Sequence, residues 1–293
     1  MQTPCPAFTS YGQWLLSWLP FRAIAGLGWA LGHVVASLPS SRRRIAHINL
    51  RLCFPSWTEA ERRSLVRRNF VCMVQMLLEY GWCWFASPQR LRRLMPIEGL
   101  EHLHALDGRP VILMAPHFTG LDMAGLRISM ETPVVSIYSR QKDEWLDAFF
   151  RSRRLRLGTG IIFSRQQGTR PTLRALKEGY RLYYLPDQDF GARDSVFVPF
   201  FGVNTATITG LSRLAAATGA AVLPCYPRRE AGRYVLVIEP ALTDFPSQDL
   251  TRDAARMNAV IESQIRRIPQ QYFWMHKRFK SRPEGEADYY AKP

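Results

Sequence analysis

Lysine is scarce in this chain. Of its 39 basic residues only Lys142, Lys177, Lys277, Lys280 and Lys292 are lysine, set against 24 acidic residues in 293. The net charge of +15 is therefore carried by arginine, whose planar fork favours bidentate contacts with phosphate and carboxylate over diffuse attraction. Nucleic acid, anionic lipid and an acidic protein partner all fit such a charge, so it does not choose among them. Cysteine is sparse as well: Cys5, Cys53, Cys72, Cys83 and Cys225 are odd in number and form no CxxC spacing. That argues against a disulfide framework or a zinc site and for a reducing compartment. A Gly-rich phosphate loop, an HExxH and a GxSxG elbow are all missing, so nucleotide hydrolysis, zinc proteolysis and serine-hydrolase chemistry lack their usual signatures.

The chain also lacks a clean membrane-spanning run. Its most apolar stretch, "WLLSWLPFRAIAGLGWALGHVVASLP" at residues 14–39, is broken by Pro20, Arg22 and His33. The uninterrupted part falls short of the roughly 20 residues that cross a hydrocarbon core. No charge precedes Arg22, so a secretory signal is not indicated. An interfacial or shallowly inserted anchor helix is expected, with a core helix of the main domain as the competing reading. The "SRRR" at residues 41–44 follows directly, and basic residues beside an apolar segment favour an anionic, cytoplasmic leaflet. This divides the chain into a membrane-associating segment, residues 1–40, and a single α/β domain, residues 41–293.

What is present is an alternation of strand and helix patterns. Thr58 and Glu61 have capping-box spacing, and Val66, Phe70, Met73, Leu77 and Trp84 trace one helix face. Strands are expected at 111–115, 133–138, 180–186, 220–226 and 233–239; helices are expected at 144–157, 170–178, 205–218 and 251–268. The stretch from Asp187 to Gly202 reads as a long functional loop. The fold class is α/β, a mixed, mostly parallel central sheet flanked by helices on both faces, with an N-terminal apolar anchor helix.

The sequence "VILMAPHFTGLDMAG", residues 111–125, places His117 at a strand-to-helix corner, where α/β proteins keep their chemistry. Histidine is the natural general base for a hydroxyl nucleophile. Asp122 lies five residues on, roughly 140° round a regular helix. The pair can meet only if the chain turns through Thr119 and Gly120 and Asp122 reaches back from the first helical turn. A satisfied core histidine and a plain helix-capping aspartate are the bland counterparts of these roles. No third ligand has metal-site spacing nearby.

"HFTGLD", residues 117–122, resembles the His-four residues-acid motif of the glycerolipid and lysophospholipid acyltransferases. "YYLPDQDFGARDSVFVPFFG", "AAVLPCYPRRE" and "PQQYFWMHKRFKSRPEG" resemble the branch that adds secondary lauroyl or myristoyl chains to lipid A. The resemblance implies a base, His117, and an orienting acid, Asp122, where this branch often has glutamate. It implies contact with phosphate or acceptor at Arg140, Arg151, Arg165, Asp187, Asp189 and Arg228. It further implies direct attack on an acyl carrier protein thioester, a lipid A precursor as acceptor, and work at the cytoplasmic face of a bacterial inner membrane. No cofactor, metal or nucleic acid is implied. A lysophospholipid or aminolipid acceptor is the alternative, and a non-enzymatic basic membrane- or nucleic-acid-binding protein the remote one.

Overall fold

The computed structural model describes residues 6–291; Cys5 and Lys292 lie outside them. In chain order the elements are α1 (Pro6–Trp18), α2 (Phe21–Ser37), α3 (Ser41–Cys53), α4 (Glu59–Phe85), α5 (Pro88–Leu94), β1 (Ile97–Glu98), α6 (Leu100–His104), β2 (Val111–Met114), α7 (Leu121–Ile128), β3 (Val134–Tyr138) and α8 (Glu144–Arg154). There follow β4 (Gly160–Ser164), α9 (Arg170–Lys177), β5 (Arg181–Tyr184), β6 (Ser195–Phe200), β7 (Val203–Ile208), α10 (Gly210–Thr218), β8 (Ala221–Glu230), β9 (Arg233–Ile238) and α11 (Leu250–Arg267). Seven strands form one sheet in the order β1-β9-β8-β2-β5-β3-β4, parallel at every pairing except β8 with β9.

β2 lies near the middle and is buried on both faces, which is why it reads as an unbroken apolar run. Its alternate residues feed separate cores. Val111 and Leu113 join Trp82, Leu126 and Leu236 on one face; Ile112 and Met114 join Phe70, Leu176 and Ile261 on the other. The long α4 spans both, started by the anticipated capping box of Thr58 and Glu61. Leu77 departs from the expected buried face and is 53% exposed.

Two expectations are corrected. Residues 195–208 form an antiparallel hairpin rather than a loop running into a helix. Val, Phe and Thr alternate along it, and Phe201 and Gly202, both at positive φ, make the tight turn. Helix α10 therefore starts only at Gly210. The N-terminal stretch is two helices split at Pro20, and both pack on α4. Close approach needs glycine: a Cβ at Gly28 or Gly32 would lie 2.5 Å from Gln75 Cγ or 2.6 Å from Val71 Cα. Their other faces are bare, with Trp18 70% and Trp29 59% exposed. Among the described residues no single helix is long and apolar enough to cross a membrane; α2 with α3 passes that test only as a pair bent by 87°.

Candidate active site

β2 ends at Met114 and α7 begins at Leu121, so His117 does sit on the corner between them. Gly120, at φ 86°, turns the chain, and a Cβ there would lie 2.7 Å from the Tyr234 ring. The segment after α11 braces the corner from behind. The Thr119 amide donates to Gln271 O at 2.9 Å, and the Phe273 amide donates to His117 O at 2.9 Å. Asn69, fully buried on α4, holds that segment in turn by donating to the carbonyls of Gln270 and Tyr272.

The imidazole meets Asp187. Nδ1 is 2.6 Å from Asp187 Oδ1, and the His117 main-chain N–H donates to Oδ2 at 2.9 Å. Sheet register explains the meeting. β2 and β5 are parallel neighbours with Met114 opposite Tyr184, so three residues beyond each strand His117 stands opposite Asp187. The Asp187 side chain is 1% exposed. Burial pushes its carboxyl up, but the His117 charge, its ring and main-chain donors and the Tyr272 hydroxyl together hold it below the usual carboxylate value. A buried carboxylate on Nδ1 requires a proton there, which leaves the Nε2 lone pair available as a base.

The expected direct bond between His117 and Asp122 is not formed. Asp122 does stand in the first turn of α7, but its oxygens are taken sideways by Arg154 Nε at 2.9 Å and by the Tyr80 hydroxyl at 2.5 Å. Burial raises its carboxyl, and Arg154 and Tyr80 more than offset this, leaving it ionised in ordinary buffers. Asp122 thus faces His117 through space and not through a shared hydrogen bond.

His117, Asp122 and Arg154 line a cavity of about 1050 Å³ whose lining draws on residues from both faces of the sheet. On the sheet face of Ser136, Ile162 and Tyr183 the lining includes Leu121, Gly125 and Leu126 of α7 together with Val134 and Gly160. On the opposite face Ile137, Ile161 and Tyr184 line the cavity with Leu173 of α9 and Leu214 of α10. Arg165 lines the cavity with its guanidinium 3.9 Å above the Phe190 ring centre.

The remaining expected residues stand elsewhere. Arg140 and Arg151 are exposed and outside the lining, near Tyr138 and Asp147. Asp189 accepts from Ser281 and Gly191 and so ties down the C-terminal segment. Arg228, on β8, pairs with Glu98 and Glu230 away from the cavity. Arg154, Arg213, Tyr80 and Tyr184 line the cavity without having been anticipated; the two arginines lie in helices whose inward face the pattern alone does not reveal. Among the described residues no group of three His, Cys, Asp or Glu side chains could hold a metal ion. None of the four described cysteines lines the large cavity, and burial raises their thiols, Cys72 to about 11 and Cys225 to about 12.

Residues 8–281 match the family of bacterial lipid A biosynthesis acyltransferases. The chain is 36% identical to the lipid A biosynthesis lauroyltransferase of Escherichia coli (strain K12), over 94% of this chain and 92% of that protein. It is 35% identical to the palmitoleoyltransferase of the same strain, over 94% and 91%. With that strain's myristoyltransferase it shares 31% identity, over 94% and 90%.

Proposed function

The chain belongs to the bacterial lipid A biosynthesis acyltransferase family, and we propose that it moves a fatty acyl group from an acyl carrier protein thioester to a hydroxyl of a lipid A precursor. His117 Nε2 takes the proton from the acceptor hydroxyl as its oxygen attacks the thioester carbonyl carbon. Asp187 keeps the ring oriented and offsets the imidazolium charge as it forms. The tetrahedral intermediate collapses with cleavage of the carbon–sulfur bond, and the imidazolium returns its proton to the leaving thiolate. The products are an ester and a free thiol. No acyl-enzyme is formed, in keeping with buried cysteines whose thiols are held protonated. Asp122 keeps Arg154 fixed and adds negative charge beside the base.

The observation that carries this reading is the His117–Asp187 pair at 2.6 Å on the wall of a large, mostly apolar cavity. The part of the cavity lined by Leu121 and Leu126 of α7 with Val134, Gly160 and Ile162 suits an acyl chain. The bare faces of α1 and α2, beside the arginines of α3, suit an anionic bilayer surface. Here the chain lies on the cytoplasmic face of the inner membrane with the hairpin of helices in the headgroup layer. The charge of +15 also suits an acidic carrier protein.

The test is direct. Detergent-purified protein, acyl carrier protein thioesters and a deacylated lipid A precursor are incubated together and product mass is followed. Wild type should form an acyloxyacyl product, and His117→Ala should lose at least about a thousandfold in rate, the loss of a positioned base together with its ion pair. Equal rates would sink the mechanism; transfer to lysophospholipid alone would sink the acceptor.

A further inference from the structure

The cavity has a second chemistry besides that of the base. Arg165 and Arg213 both line it, and neither is in an ion pair among the described residues. Arg165 lies with its guanidinium 3.9 Å from the Phe190 ring centre, and its side chain makes no hydrogen bond among the described residues. Arg213, one turn into α10, donates from Nε to Thr209 Oγ1 at 3.0 Å, and among the described residues its terminal nitrogens have no hydrogen-bond partner. The Tyr184 hydroxyl lines the same cavity, close enough to Arg165 to feel its charge and packed against the first residue of α10. It makes no hydrogen bond among the described residues, and it approaches α10 so closely that a Cβ at Gly210 would lie 2.4 Å from it. Burial pushes this phenol up to about 12 while the nearby Arg165 charge works against the rise, so it stays a neutral donor.

We propose that Arg165, Arg213 and the Tyr184 hydroxyl, which line the same cavity as His117, form a phosphate clamp. Two guanidinium forks and a phenolic O–H supply five or more donors to one tetrahedral anion, and among the described residues no acidic side chain is paired to either fork, Asp194 being the acidic residue that shares their stretch of the lining. The clamp rests on the acyltransferase reading, because both substrates of that reaction bring phosphate near the reacting atoms. The acceptor carries a sugar phosphate, and the carrier protein's prosthetic arm carries a phosphodiester. Phosphate held here places a hydroxyl or a thioester within reach of His117. Arg213 and Tyr184 act as positioning residues for the reaction and leave the His117–Asp187 pair untouched.

The variants Arg213→Ala, Arg213→Lys and Tyr184→Phe separate the outcomes in the full-length protein. A phosphorylated acceptor, the same acceptor without its phosphate, acyl-phosphopantetheine and acyl-pantetheine are each titrated. Arg213→Ala should raise KM about 10- to 100-fold for whichever substrate uses the clamp, with kcat within about threefold, and the penalty should vanish for that substrate's phosphate-free form. A change confined to the acceptor assigns the clamp to the sugar phosphate; one confined to the donor assigns it to the prosthetic arm. Arg213→Lys should recover part of the loss, since it keeps the charge without the fork. Thermal stabilisation by pyrophosphate should be present in wild type and lost in Arg213→Ala and Tyr184→Phe, a readout independent of turnover. Unchanged KM for all four substrates, or undiminished pyrophosphate stabilisation in folded variants, overturns the clamp. Failure of wild type to acylate lipid A precursors with pyrophosphate stabilisation intact would refute the acceptor and leave the clamp standing.

Discussion

Replacing Asp187 by asparagine tests the site most sharply, because the carboxylate serves two donors with two oxygens. One oxygen accepts the His117 main-chain N–H at 2.9 Å and the other the ring Nδ1–H at 2.6 Å. An amide of the same shape has one acceptor and one donor. Whichever way it turns, its NH2 faces either the main-chain N–H or the ring N–H, so the pair is broken or the ring tautomer reverses. A charge-assisted hydrogen bond contributes about 1.5–3 kcal/mol, and loss of the correct tautomer adds to it. The sum of roughly 3–5 kcal/mol corresponds to a fall in kcat of about 10²–10⁴. KM should move little, because Asp187 lies behind the ring and outside the cavity lining. The assay is steady-state acyl transfer followed by mass spectrometry, with a melting curve to establish folding. A double-mutant cycle completes it: Asp122→Asn and Arg154→Ala should be strongly coupled, whereas Asp187→Asn and Arg154→Ala should be close to additive. A folded Asp187→Asn enzyme within tenfold of wild type would refute the reasoning, as would coupling of Arg154 to Asp187 in place of Asp122.

Three other outcomes follow from the same coordinates. Gly120→Ala should cost roughly 2–4 kcal/mol, from a non-glycine residue at φ 86° and a Cβ driven against the buried Tyr234 ring, and lower the melting temperature by several degrees; an unchanged melt would count against the corner geometry. His276 accepts the Asp189 amide proton, and burial lowers its pKa to about 4. The unfolded chain therefore binds a proton that the folded one refuses between about pH 6.5 and 4, so stability is full above that window and falls by no more than roughly 3 kcal/mol as pH drops through it. Urea unfolding of wild type and His276→Gln across that range checks this, and equal slopes would refute it. Replacing Trp18 and Trp29 by serine should leave the melting temperature within a degree or two, both rings being exposed, while binding to vesicles containing anionic lipid falls about tenfold per residue; undiminished sedimentation with vesicles would remove the bilayer reading.

Much of the scaffold was legible because its signals are local. The capping box of Thr58 and Glu61, the apolar run of β2 and the helix–Gly219 stop are read within a few residues, and the structure has them where the pattern put them. The hairpin of β6 and β7 was not, since Phe201 is an unusual turn residue and the Thr-rich β7 runs directly into a helix. β4 escaped notice too, because Gly160 and an arginine-rich approach mask a short strand at the sheet edge.

The active-site corner shows the division most clearly. The residues at 111–125 by themselves determine a strand, a glycine turn and a helix with His117 at the bend, because those states depend on φ, burial and the period of apolar residues. They also place Asp122 in the first helical turn. Which carboxylate receives the imidazole is a different kind of fact. Asp187 is 70 residues away and reaches His117 because β2 and β5 lie side by side in matching register, while Arg154 and Tyr80, from two other helices, draw Asp122 aside. Strand order and side-chain competition of that sort arise only when distant segments pack, and no spacing within the motif encodes them.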